Sequence, residues 1–141
     1  MNQPSTNPYL RTRIMTASPE QLRLMLYDGA LRFARQGRGA IEHGDYETSY
    51  SAIARAKRIV LELSNSLNHD AHPELCQRLA GLYTYVYRLL TEANMSRKLE
   101  PLDEAIELIG YERETWQMYI DRLNGAAASD DATPGTLSRS A

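Results

Sequence analysis

From Pro19 to Leu123 apolar side chains recur at intervals of three and four residues, and the pattern breaks only where helix-ending or helix-starting residues cluster. A chain patterned this way must bury one stripe of each helix against another helix. The clearest start is Ser18-Pro19-Glu20-Gln21, a hydroxyl N-cap followed by proline at the first helical position, with Gln21 placed for a capping box. Leu22, Leu26, Gly29, Phe33, Gly37, Ala40 and Ile41 then share a face, and Gly44 stands where a left-handed terminator is favoured. The spacing predicts a first helix from Pro19 to His43.

Asp45 caps a second segment with the stripe Tyr50, Ile53, Lys57, Val60, Leu63 and Leu67, which ends near Asn68. His72-Pro73 opens a third, in which Leu75, Leu79, Leu82, Val86, Leu89 and Ala93 align until the polar stretch that starts at Asn94. Tyr83-Thr84-Tyr85-Val86-Tyr87 would read as a strand in isolation, but helical periodicity on both sides assigns it to this helix. Glu100-Pro101 begins a fourth, with Leu102, Ala105, Ile106, Ile109, Trp116, Ile120 and Leu123 inward and Gly125 as terminator. Gly110 inside it costs about 1 kcal/mol against alanine.

Similar lengths and short connections predict an all-α fold, an antiparallel up-down four-helix bundle over residues 18–124. At 141 residues the chain is one domain's worth of core. Residues 1–17 and 125–141 lack this patterning and are expected to be a mobile segment and a disordered tail. The tail has little to bury, whereas the N-terminal segment carries Tyr9, Leu10, Ile14 and Met15, apolar enough to dock on the bundle.

Composition narrows the chemistry. A formal charge of −2 gives no field that would draw nucleic acid, no apolar run is long enough to insert in a membrane, and no signal-peptide core precedes Pro8. With one cysteine there is no internal disulfide, so a reducing cytoplasm is the expected compartment. His43, His69 and His72 fall at helix ends or in a loop, away from the exposed mid-helix position that phosphotransfer requires. His69-Asp70-Ala71-His72 lacks further ligands for a metal shell, and the chain contains no Glu-x-x-His motif of a di-iron bundle. Cys76 has no histidine predictably on its face and reads as a small packing residue. Gly37-Arg38-Gly39 lacks both the third glycine and the strand-to-helix context of a dinucleotide loop, and Arg32, Arg35 and Arg38 read as a solvated face. No catalytic residue, metal or cofactor is expected.

What remains is an excess of apolar surface. The third helix is apolar nearly all round from Leu82 to Leu90, and the second adds Ala52, Ala54, Ala56 and Ile59 beside its stripe. Two explanations stand: tyrosine rings lying along the bundle with wet hydroxyls, or a groove for an amphipathic helix. Such a groove would also support weak homodimer formation at high concentration.

Asn7-Pro8-Tyr9, followed by the run from Thr16-Ala17-Ser18-Pro19-Glu20-Gln21 to Leu26-Tyr27-Asp28-Gly29-Ala30, resembles the opening of the FliS flagellar export chaperones. Gly44-Asp45, Ala56-Lys57-Arg58-Ile59-Val60, Leu82-Tyr83-Thr84-Tyr85-Val86-Tyr87-Arg88, Ala93-Asn94 and Glu114-Thr115-Trp116 extend the resemblance over essentially the whole patterned chain. The resemblance implies a cytoplasmic, non-enzymatic chaperone that binds the C-terminal segment of flagellin, prevents premature polymerisation and hands its client to a component of the flagellar type III export gate. It further implies that the client folds as it wraps the bundle, with Ile53, Lys57, Val60, Leu63, Tyr83 and Tyr87 as groove candidates and Tyr9, Ile14 and Met15 as an N-terminal cap over the groove. The chain departs from the family pattern in having only Tyr9 where two tyrosines are common, and Leu89 where a second arginine is usual. A helical interaction module with another client would share every physical feature named here.

Overall fold

The computed structural model describes residues 7–131, and these form five helices: α1 (Pro8–Thr16), α2 (Pro19–Glu42), α3 (Tyr46–Asn65), α4 (Pro73–Ser96) and α5 (Leu99–Asp131). No strand occurs among the described residues, and Tyr83 to Tyr87 lie in the middle of α4. The caps at Ser18 and Asp45 work as the sequence dictates. Ser18 Oγ accepts from the Gln21 amide at 3.1 Å and Asp45 Oδ1 from the Thr48 amide at 3.2 Å. Gly44 takes the left-handed conformation, φ 72°, and reverses the chain between α2 and α3.

The four long helices pack in a ring, α2 against α3 and α5, and α4 against α3 and α5. Contacts run in opposite senses along neighbouring helices. Arg23 meets Leu63 while Gly37 faces Ile53; Lys57 lies over Tyr87 while Tyr50 meets Asn94; Arg38 pairs with Asp103 while Arg113 pairs with Asp28. The core inside the ring includes Tyr27, Leu31, Ile53, Val60, Leu63, Val86, Leu90, Leu102 and Ile109. Between α2 and α3 the approach is close because α2 presents glycines to the isoleucines of α3: a Cβ on Gly37 would lie 2.7 Å from Ile53 Cγ1, and one on Gly29 3.2 Å from Ile59 Cδ1.

The two ends differ from expectation. Residues 8–16, expected to be mobile, form α1: Asn7 Oδ1 accepts from the amides of Tyr9 and Leu10, and Pro8 stands at the first helical position. No side chain of α1 is buried. Gly125 does not end the last helix. Alanines 126–128 follow it, and their propensity offsets a single glycine, so α5 continues to Asp131. The expected tail beyond Asp131 and the first residues of the N-terminal segment, 1–6, lie outside the described residues.

The inward stripes are also rotated from those read in the sequence. On α3 the buried positions are Ser49, Ala52, Ile53, Ala56, Val60 and Leu63. Tyr50, expected inward, is consequently 63 % exposed. Leu22 and Leu75, also expected inward, are exposed in the first turns of α2 and α4, and Leu123, expected inward on α5, is exposed as well.

Candidate functional site

Two seams of the ring contrast in chemistry. The α2–α5 seam is closed by ion pairs: Arg38 binds Asp103 and its own-helix neighbour Glu42, and Arg113 binds Asp28 at 2.8 Å. Arg38, expected on a plain solvated face, is therefore part of this clasp. The α3–α4 seam has no salt bridge among the described residues. Its outer side carries Tyr46, Tyr50, Ala54 and Leu61 from α3 at helical spacing, with Tyr87, Thr91 and Met95 from α4. The Lys57 ammonium lies 4.9 Å from the centroid of the Tyr87 ring, and the Asn94 amide donates to the Tyr50 carbonyl at 3.3 Å.

On the outer surface of α4, bordering the seam at Tyr87, lies a shallow depression of about 720 Å³ walled by residues of this helix alone, Tyr87, Arg88, Thr91, Glu92, Met95 and Ser96, and mostly apolar in lining. Met95 is 81 % exposed beside it. Large apolar groups held in water along one seam, with a cation over one of the rings, form a surface suited to the apolar stripe of another helix.

The six groove candidates divide. Lys57 and Tyr87 lie on this face, half-buried. Ile53, Val60, Leu63 and Tyr83 are buried in the core, where they hold α2, α3 and α4 together. Leu89, the position that departs from the family pattern, is also a core residue, so the missing arginine charge has no surface role in this state. Tyr9, Ile14 and Met15 are exposed on α1 and do not cover the face in this conformation. Leu61, Arg88, Thr91 and Met95 went unassigned because periodicity counts a mixed polar and apolar face as solvated. The signal for Leu61 is the i, i+4 spacing of Tyr46, Tyr50 and Ala54 one helical repeat before it, and for the α4 residues the three- and four-residue spacing of Arg88, Thr91 and Met95.

Tyr83, one turn before Tyr87 on α4, belongs to a second cluster, to which every long helix contributes. Arg23 of α2 donates to the Tyr83 hydroxyl at 2.9 Å, the Leu63 carbonyl at 3.1 Å and Ser66 Oγ at 2.9 Å. Its guanidinium also lies within 6 Å of the ring centroids of Tyr27, Tyr83 and Trp116. The Tyr27 and Tyr83 hydroxyls hydrogen-bond to each other, and Trp116 Nε1 donates to the Glu20 carbonyl at 2.7 Å. Burial, with Tyr83 adding to it, pushes the Tyr27 phenol well above its ordinary range, so it stays neutral and able to donate. Burial also raises the Glu112 carboxyl against the opposing pull of Arg23. These bonds satisfy polar atoms and clamp the bundle end.

The histidines gather no chemistry. His43 Nδ1 bonds the Gly39 carbonyl at 2.8 Å, and His69 and His72 lie exposed between α3 and α4. Cys76 is buried with Sγ 3.3 Å from the Asn68 carbonyl, in keeping with a packing role. Among the described residues no group of three or more His, Cys, Asp or Glu could hold a metal, and no helix is long and apolar enough to cross a membrane.

Fold and surface together define an all-helical bundle with an open, aromatic-lined face along one seam. The family model of the flagellar protein FliS matches residues 1–123. The chain is 34 % identical over 117 residues to the flagellar secretion chaperone FliS of Bacillus subtilis, covering 81 % of this chain and 86 % of that protein. It is 32 % identical over 111 residues to the protein of the same name from Campylobacter jejuni, covering 79 % and 87 %. A crystal structure of a bacterial flagellar chaperone superposes with a TM-score of 0.70 at 18 % identity, over 84 % of this chain and 99 % of that one, which shows a shared fold. The chain belongs to the FliS family.

Proposed function

We propose that this protein is a cytoplasmic flagellar export chaperone. It binds the C-terminal segment of flagellin, keeps subunits from polymerising and presents them to a component of the flagellar type III export gate. Family membership supports the client class, and the observation that carries the binding mode is the open α3–α4 face, with Tyr50 and Met95 held in water beside Tyr87. An unfolded client segment lays an amphipathic helix on that face and gains helix as it binds. Ordering the segment uses up several kcal/mol of the gross interaction energy, so a wide interface remains releasable at the gate.

Ile53, Val60, Leu63 and Tyr83 act through the core that shapes this face, and Lys57 and Tyr87 touch the client directly. Tyr9, Ile14 and Met15 form a part-time cap that competes with the client in a minor conformation, consistent with their exposure here. A seeded polymerisation assay tests the role. Monomeric flagellin with filament seeds should stop elongating at about one equivalent of this protein, and flagellin lacking its C-terminal segment should bind nothing. Unimpeded elongation with excess protein would refute the proposal.

A further inference from the structure

We infer that the α3–α4 face selects a helix whose apolar stripe is flanked by carboxylates, aspartate or glutamate, on the side that meets Lys57 and Arg88. This rests on the reading of the face as a client groove and specifies which helices it accepts. The chain as a whole is slightly acidic, with 18 Asp and Glu against 16 Lys and Arg. Its cations are nevertheless used differently on the two seams. Arg38 and Arg113 on the α2–α5 seam are neutralised by carboxylates of this chain.

On the α3–α4 face Lys57 and Arg88 make no salt bridge among the described residues, nor do Arg97 and Lys98 at its end. Lys57 rests on the Tyr87 ring and Arg97 on the Tyr46 ring, 4.3 Å from its centroid. A ring holds such a cation in place without cancelling its charge, leaving N–H donors for an acceptor. Arg88 stands on the wall of the depression, where Glu92 is the one opposing carboxylate. The apolar strip of α3 runs from Tyr46 to Leu61 with Lys57 set within it, and Arg88 stands across on α4; that span is about 22 Å at helical rise and matches roughly four turns of a bound helix.

An occupant that covers Tyr50, Tyr87 and Met95 partly desolvates Lys57 and Arg88. A carboxylate beside them offsets that cost, and a lysine in its place adds like-charge repulsion, so the rim discriminates by sign. The apolar strip favours a peptide over nucleic acid, because the cations are few and interrupted by large apolar side chains rather than arrayed along a phosphate track.

The test uses two synthetic amphipathic helical peptides with one shared apolar face, flanked by glutamate in one and lysine in the other. Each is titrated into the full chain, as is the flagellin C-terminal segment. The glutamate-flanked peptide should bind about tenfold tighter in low salt, and about 0.5 M salt should shrink that ratio. In the Lys57→Gln/Arg88→Gln variant, checked for unchanged helicity, the ratio should fall to about one, whereas Glu92→Gln should widen it. Equal affinities on the unmodified protein, a ratio indifferent to the double substitution, or no binding of either peptide would each overturn the inference. Failure of the flagellin segment alone to bind would refute the flagellin reading and leave the peptide ratio to decide the rim.

Discussion

The guanidinium of Arg23 reaches across the bundle from α2 to donate to the hydroxyl of Tyr83 on α4, 2.9 Å away, while also bonding the last turn of α3. Tyr83, buried at the core, thereby ties α4 to α2. Tyr83→Phe removes a hydroxyl that accepts from Arg23 and bonds Tyr27, so it should lower unfolding free energy by about 1–3 kcal/mol. Urea denaturation should show that loss, and flagellin affinity should change less than about twofold because the ring stays buried.

Two glycines on different helices should respond with opposite signs to alanine. A methyl at Gly37 would press on Ile53 at 2.7 Å, so Gly37→Ala should destabilise by about 1–3 kcal/mol. A Cβ at Gly110 meets nothing within 4 Å, and Gly110→Ala should stabilise by about 0.5–1 kcal/mol through helix propensity. Thermal or urea unfolding of the pair checks both.

Most of the architecture was legible because the caps and the three-four spacing depend on local chemistry. Ser18-Pro19 and Gly44-Asp45 placed helix boundaries to within a residue. Asn7-Pro8 carries the same signature as Ser18-Pro19, but the short segment behind it has no apolar stripe to confirm a helix, and α1 was missed. The α3 stripe was read through Tyr50 and Lys57 because large apolar and long residues dominate a periodicity count. The inner face also runs through Ser49, Ala52 and Ala56, small residues whose burial is a tertiary fact that local spacing does not contain. The groove candidates share that rotation: Ile53, Val60 and Leu63 are buried, and the exposed apolar groups of α3 are Tyr46, Tyr50 and Leu61.

Glu112 supplies a pH signature. Burial raises its folded pKa above the ordinary glutamate value of about 4.3, so its ionised form destabilises the folded state. The contribution of this residue is therefore most favourable below that ordinary value and is lost as pH rises through the raised one. Glu112→Gln should be more stable than the parent at neutral pH, with the advantage shrinking as pH falls toward the ordinary glutamate range. Unfolding curves of both proteins across that range check the sign.

Surface and core positions should separate cleanly in paired binding and stability measurements. Tyr87→Ala should weaken flagellin binding by about tenfold or more, as expected for a central aromatic contact, and Met95→Ser should weaken it while changing stability by less than about 0.5 kcal/mol. Leu63→Ala should instead cost about 2–5 kcal/mol of stability.

Deleting residues 1–15 tests the part-time cap. Because Tyr9, Ile14 and Met15 are exposed in this conformation, the capped population is small, and removing it should tighten flagellin binding by no more than about threefold. Unchanged or weaker binding in calorimetry would rule out competition by this segment.

Calorimetric titration of the full chain with the C-terminal segment of its cognate flagellin, with circular dichroism in parallel, tests client capture on the α3–α4 face most directly. The prediction is one-to-one binding with a negative heat-capacity change and gained helix in the segment, weakened by Tyr87→Ala. Absence of binding, or binding indifferent to Tyr87 and without new helix, would contradict it.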